Sequence, residues 1–169
     1  ASIIAARPRG HDTDVIGLLP NARIITAVAL GNGIERNTNA GDLASVLEAI
    51  RYVMEQGAGV INLSFGRPVT HDELKELNAL PIWAELEQRG AILVCAAGNQ
   101  HSDNDQRPIF PASLPRKNVI SVMAMDAGGG LGKTRDKNTG AWRAFSNYGE
   151  KSVHLAAPGT LVMGIPGKG

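Results

Sequence analysis

The chain alternates between short apolar runs and polar breaks, and the spacing inside each run separates strands from helices. Residues 91–97, Ala-Ile-Leu-Val-Cys-Ala-Ala, form an unbroken small or apolar run that stops at Gly98-Asn99. Such a run bounded by glycine predicts a central parallel strand, whose two covered faces call for no polar alternation. Upstream, Leu43, Val46, Leu47, Ile50, Val53 and Met54 recur as the buried stripe of a helix that Gly57 should end. Val60-Ile61-Asn62-Leu63-Ser64-Phe65, closed by Gly66 and Pro68, predicts the next strand. Thr70 and Glu73 then make a capping box for a helical stretch carrying Leu74, Leu77, Leu80, Trp83 and Leu86. Pro81 should kink or split that stretch, and Gly90 should terminate it just before residue 91.

Towards the ends the pattern is more broken. Residues 3–6 read as the tail of an element, 7–14 as a polar loop, and 17–22 as a turn into a strand over 23–30 that Gly31-Asn32-Gly33 ends. After Asn99 come a long polar loop to Pro115, a strand from Val119 to Ala124, and a glycine-rich, charged stretch over 126–139 that reads as mobile. Two short apolar pieces, 153–157 and 161–165, complete the chain. Strands alternating with helices of this length imply right-handed crossovers and a parallel sheet. The fold class is therefore α/β, a doubly wound, mainly parallel sheet with helices on both faces. Neither a repeat nor a linker divides it, and 169 residues with 43% hydrophobic content suit one domain with a real core.

Charge and cysteine usage narrow the partners. Seventeen basic residues against sixteen acidic leave a net charge of +1, with no block of like charge. Nucleic acid and anionic membrane are not the expected partners. No apolar segment approaches the eighteen or so residues that span a bilayer, and the first ten residues lack the apolar stretch of a signal peptide. The single Cys95 excludes an internal disulfide and a cysteine-based zinc site, and with no cationic neighbour in sequence it reads as a small core residue.

Residues with chemical potential gather at two strand ends, Ser64-Phe65-Gly66 and Ala96-Ala97-Gly98-Asn99. If the two strands are neighbours, these segments flank a slot that a peptide backbone or a side chain can enter, since glycine and alanine permit close approach. The primary amide of Asn99 sits where ligands bind in open α/β sheets. Other candidates read as structural. His71, His101 and His154 fall in a helix first turn, a loop and a strand, and Ser64 and Ser146 lack a Gly-x-Ser-x-Gly context. Gly31-Asn32-Gly33 lacks the third glycine and following helix of a dinucleotide loop. Asn62-Leu63-Ser64 is a glycosylation sequon placed in a strand expected to be buried.

The order of these segments resembles the subtilisin-like serine peptidases, the subtilases, over essentially the whole chain. Ile3-Ile4-Ala5-Ala6 is similar to the end of the family's His-Gly-Thr helix, and Gly17-Leu18-Leu19-Pro20-Asn21-Ala22 to its Pro-Asn turn. Val60 to Gly66 resembles Val-Ile-Asn-Met-Ser-Leu-Gly, and Val94 to Asn99 the strand ending Ala-Ala-Gly-Asn. Phe110-Pro111-Ala112, Val119-Ile120-Ser121-Val122, Phe145-Ser146-Asn147-Tyr148-Gly149 and Ala156-Ala157-Pro158-Gly159 match later segments in order. The resemblance implies a serine endopeptidase working through an acyl-enzyme, with Asn99 as the oxyanion-hole side chain. It makes Ser64, Phe65 and Gly66 one wall, and Ala96, Ala97 and Gly98 the other wall, of a pocket for the substrate side chain. Phe65 stands where the family usually has an aliphatic residue. A peptide or protein substrate follows.

The departures carry as much as the matches. The motifs for the catalytic Asp, His and Ser are not found, so the resemblance makes residues 1–169 a truncated, central portion of one peptidase domain, inactive alone. Such a core exposes apolar faces and depends on partner copies or on the missing segments. His11-Asp12-Thr13-Asp14-Val15-Ile16-Gly17 superficially fits the catalytic-His pattern, but Gly17 runs straight into the Pro-Asn turn, so His11, Asp12 and Asp14 read as a surface loop. No cofactor is required. The resemblance allows calcium here through Asp12 or Asp14, without a recognisable ligand spacing. The alternative function is a catalytically degenerate subtilase fold that only binds peptides or proteins.

Overall fold

The structure, a computed structural model, describes residues 2–7, 16–29 and 43–160. It divides into two compact units, residues 1–26 with 161–169, and residues 27–160. In the first, helix α1 (Ser2–Ala5) is closed by the segment that follows it in sequence. The amides of Gly17, Leu18 and Leu19 donate to the carbonyls of Ala6, Ile3 and Ile4 at 2.9, 3.0 and 2.7 Å. The helix-end carbonyls thus find the partners that no further helical turn supplies.

The first helix of the second unit is α2 (Leu43–Glu55), which buries Val46, Ile50, Val53 and Met54, four of the six positions of the stripe read from the sequence, and half-buries Leu43 and Leu47. Gly57 N–H donates to Met54 O and Ala58 N–H to Val53 O, each at 3.0 Å, the paired bonds of a Schellman end. Strand β1 (Val60–Leu63) follows, then the two-residue β2 (Arg67–Pro68). Pro81 splits the next stretch rather than kinking it. Helix α3 (His71–Asn78) is capped by Thr70, whose hydroxyl accepts from Glu73 N–H at 3.1 Å, and α4 (Pro81–Gln88) starts with Pro81 at its first position. Proline fits there because that N–H would have no helical partner anyway. Helix α4 ends like α2, with Gly90 and Ala91 donating to Glu87 O and Leu86 O at 3.0 Å each.

Strand β3 (Ile92–Ala96) is the apolar run. Beyond it lie β4 (Ile109–Phe110), β5 (Val119–Met125), β6 (Lys133–Arg135), β7 (Trp142–Ala144) and β8 (Leu155–Pro158). Four of these strands form one parallel sheet in the order β1-β3-β5-β8. Leu63 stands opposite Cys95, and Cys95 opposite Ser121.

The core lies between this sheet and α2, α3 and α4. Ile61, Leu63, Leu93, Cys95 and Val119 meet Val46, Ile50, Leu77, Trp83 and Leu86 there. Trp83 is 1% exposed, donates from Nε1 to Leu77 O at 2.6 Å and packs edge-on to Phe110 at 5.9 Å. Each such large side chain contributes about 1.5–3 kcal/mol by leaving water. Within this unit β3 alternates despite its wholly apolar sequence: Leu93 and Cys95 are buried, while Ile92 is exposed and Val94 and Ala96 are half-buried.

Three sequence expectations change. Residues 23–29, the described part of the strand expected over 23–30, take no regular structure, and Ile24, Ile25 and Val28 are exposed. Apolar spacing supplies a face, but a strand also needs a paired neighbour for its peptide groups. Residues 126–139, expected to be a mobile loop, contain β6, which pairs antiparallel with β7 as a hairpin. The long loop after Asn99 contains β4, paired antiparallel with β2. The piece at 161–165 lies outside the described residues. No described helix is long and apolar enough to cross a membrane.

Candidate functional site

The two strands that lead into the predicted walls are neighbours in the sheet. Because Leu63 and Cys95 are register partners on adjacent parallel strands, the segments after them leave the sheet together at its carboxyl edge. Ser64 and Ala96 point to the less covered face, where a depression of about 250 Å³ is lined by Asn62, Ser64, Ala96, Val122, Ala124 and Pro158. Phe65 is half-buried and packs against the core, and Gly66 is exposed. Ala97 is buried, Gly98 half-buried and Asn99 exposed. A larger hollow of about 610 Å³, with Asp103, Asp105, Tyr148 and Lys151 in its lining, includes neither wall nor Asn99.

The two walls are held by different means. Past Gly66 the first wall runs into β2, where Arg67 faces Phe110 and Pro68 faces Ile109. A side chain on Gly66 would put its Cβ 2.8 Å from Ile109 Cγ2 and 2.9 Å from Phe110 O, so the backbone approaches β4 more closely than any other residue allows. The Ser64 hydroxyl exchanges hydrogen bonds only with the nearby Asn62 amide, at 2.9 and 3.3 Å.

The second wall is fixed by groups remote in sequence. Ala97 N–H donates to Val122 O at 2.9 Å, and Ala97 O accepts from Asn104 Nδ2 at 2.8 Å. Gly98 adopts φ 118°, a conformation open to glycine, and its carbonyl accepts from Asn147 N–H at 2.9 Å. Asn99 N–H donates to Gln100 Oε1 at 3.1 Å. No hydrogen bond engages the Asn99 side-chain amide among the described residues, so its two N–H donors remain free.

The remaining candidates take the structural roles expected of them, with adjustments. His154 precedes β8, and its Nδ1 accepts from Ser121 N–H at 2.9 Å, which fixes the ring on the sheet. His101 has φ 51° and packs edge-on to Tyr148 at 6.0 Å. His71 opens α3. Ser146 is 1% exposed, accepting from Ala124 N–H and donating to Asn147 O, so it is no nucleophile. Asn62, expected in a buried strand, is exposed, because it falls on the less covered face of β1. Burial pushes the Cys95 thiol up to about 12, which leaves it protonated and inert at neutral pH.

No group of three or more His, Cys, Asp or Glu residues among those described could hold a metal ion. His11, Asp12 and Asp14 lie outside the described residues, as do Gly31-Asn32-Gly33. Sequence reasoning passed over Asn104 and Gln100 altogether. It registered Asn147 only as one letter of a matching segment, since nothing local shows that its amide reaches back to residue 98.

A parallel α/β sheet with an exposed asparagine after one of its inner strands, and a depression against Ser64 and Ala96 on its less covered face, fits a peptidase of the subtilisin type. The subtilase family model matches residues 1–168, and the chain belongs to that family. Its relatives include the thermophilic serine proteinase of Bacillus sp. (strain AK1), 35% identical over 160 residues, covering 95% of this chain and 33% of the relative. Thermitase of Thermoactinomyces vulgaris is 30% identical, covering 94% and 47%, and subtilisin-like protease 2 of Plasmodium falciparum is 30% identical, covering 88% and 10%. The chain thus spans at most about half the length of these relatives. Among solved structures, the epidermin leader peptide processing serine protease of Staphylococcus aureus superposes with a TM-score of 0.68 at 22% identity, covering 94% of this chain and 38% of that one. The prenylagaramide maturation protease PagA gives 0.54 at 24% identity, covering 74% and 40%. At these identities the structural likeness speaks for the fold.

Proposed function

We propose that residues 1–169 are the central portion of a subtilisin-like serine endopeptidase domain, holding its oxyanion asparagine and the walls of its substrate pocket. The observation that carries the reading is the exposed, unengaged amide of Asn99 after β3, in a chain of the subtilase family. In the whole protein that amide donates to the substrate carbonyl oxygen as it becomes an alkoxide in the tetrahedral intermediate. Ser64, Phe65 and Gly66 on one side, and Ala96, Ala97 and Gly98 on the other, receive the side chain before the scissile bond. An extended peptide lies along them by strand-like pairing. The half-buried Phe65 makes the first wall bulkier than an aliphatic residue would. The substrate is a peptide or protein, in keeping with a solved relative described as processing a leader peptide.

The catalytic Asp, His and Ser belong to other segments of the same protein, and residues 1–169 alone are silent. The exposed apolar side chains of Val60, Ile92 and Leu155 fit a sheet that is completed by those segments or by another copy. A fluorophosphonate probe tests both halves of the reading. The whole protein should be labelled stoichiometrically on a serine outside residues 1–169, and the segment alone should not be labelled. An adduct on any serine of this segment would overturn the assignment. Labelling of neither would favour the peptide-binding alternative.

A further inference from the structure

The free amide of Asn99 is only as useful as its placement, and the bonds that place it converge on one buried side chain. Asn147 is 0% exposed, and its amide spends its full hydrogen-bonding capacity on the Asn99 turn and on Asn104. Oδ1 accepts from Gln100 N–H at 2.7 Å and from Ser102 N–H at 3.2 Å. Nδ2 donates to Gln100 Oε1 at 3.1 Å and to Asn104 Oδ1 at 2.9 Å. Its backbone N–H holds Gly98 O at 2.9 Å. Asn104, 1% exposed, is oriented by that contact and passes it on to Ala97 O at 2.8 Å.

The bonds therefore grip the chain at residues 97, 98, 100 and 102, on both sides of Asn99 and never at its side chain. Gly98 and Asn147 are matched: a Cβ on Gly98 would fall 2.5 Å from Asn147 Nδ2, so the amide occupies the space that a side chain there would need. Gln100 closes the ring, because its Oε1 accepts from both Asn99 N–H and Asn147 Nδ2. The two buried amides, Asn104 and Asn147, both have partners for their side-chain oxygen and nitrogen, and a satisfied buried pair favours a single geometry.

We propose that Asn147, oriented by Asn104, is the positioning residue that aims the Asn99 amide at the developing oxyanion. This rests on the oxyanion reading of Asn99. Asn147 touches no substrate; it acts through residues 98–100. Serine at this position is too short to span Gln100 and Asn104 together.

Steady-state kinetics of the whole protein on a peptide substrate test the proposal. Asn147→Ser should lower kcat about 10- to 100-fold with KM changed less than about twofold, because misplacing a group by an ångström removes transition-state contacts before ground-state ones. In an Asn99→Ala background the same substitution should cost less than about twofold, since the group it positions is gone. Equal losses in the two backgrounds, or an unchanged kcat, would overturn the role of Asn147. An unchanged kcat in Asn99→Ala alone overturns the oxyanion reading itself and the proposal with it, a result distinct from additivity. Should Asn147→Ser not fold, the exposed Gln100→Ala gives the same cycle with a kcat loss of about 3- to 10-fold, and additivity there is equally fatal.

Discussion

The two strand ends proposed as pocket walls have similar places in the sequence and differ in how they are held. Each is a tripeptide that follows a strand and ends in glycine, Ser-Phe-Gly after β1 and Ala-Ala-Gly at the end of β3. The end of β1 is secured by main-chain pairing of two residues with β4 and by a side-chain exchange between Ser64 and Asn62. The end of β3 is secured by buried amides that come from 7 and 47 residues further along the chain. A binding wall can tolerate small displacements, because a peptide adjusts along it. A donor that must meet a transient charge cannot, because preorganisation is what makes it effective. The difference in anchoring fits the difference in work proposed for the two ends, binding for that of β1 and oxyanion stabilisation for that of β3.

Substitutions at the two glycines should separate these roles, and the larger effect falls on β3. Gly98→Ala forces a side chain into φ 118°, costing about 1–3 kcal/mol of backbone strain, and drives its Cβ against Asn147 Nδ2 and Gln100 Oε1. Thermal melts of the whole protein should show the loss of stability. Turnover should fall about 100-fold, because the clasp that Asn147 and Asn104 form around residues 97–102 is itself displaced. Gly66→Ala meets no such backbone restriction, but its Cβ crowds Ile109 and Phe110 O, an overpacking worth about 1–3 kcal/mol. Here KM should rise several-fold while kcat holds to within about threefold, since the wall shifts and the donor does not. If Gly66→Ala depresses kcat as deeply as Gly98→Ala does, the two ends are not functionally different and the contrast fails.

The same contrast explains what the sequence disclosed. Helix α2 was legible to its final turn, because an apolar stripe and a following Gly57 are local signals. So were β3 and the split at Pro81, and so was Asn99 as a candidate, since a run of apolar residues ending at an amide needs no partner to be recognised. The hairpin of β6 and β7 was missed because its strands are three residues each, all but Ala144 exposed, too short for any alternation to stand out. Residues 23–29 misled in the opposite direction, having the apolar character of a strand but no ladder. The clasp was illegible for a different reason. Asn104 and Asn147 sit in polar stretches where asparagine normally signals a turn, and only the fold brings them beneath Gly98.

The smallest expected effect concerns the last point at which the two strands are alike, the register pair Leu63 and Cys95. Both side chains face the helices, and Cys95 is 1% exposed. Desolvation of the thiolate raises its pKa from the ordinary 9.0 to about 12. Folded, the thiol keeps its proton until the pH nears that upper value; unfolded, it releases it from the lower one. Between the two the native state binds more protons than the unfolded state, so stability falls as pH rises through this window, by at most about 1.4 kcal/mol per pH unit. Below it the contribution is complete. Melting temperatures measured at pH 8 and pH 10.5 should therefore diverge by a few degrees more for the native sequence than for Cys95→Ala. A thiol reagent at pH 8 should leave the folded protein unmodified and label it once it is denatured. Rapid labelling of the folded protein would mean that β3 opens at Cys95, and the Asn99 turn that Asn147 is proposed to position would then follow a strand that breathes.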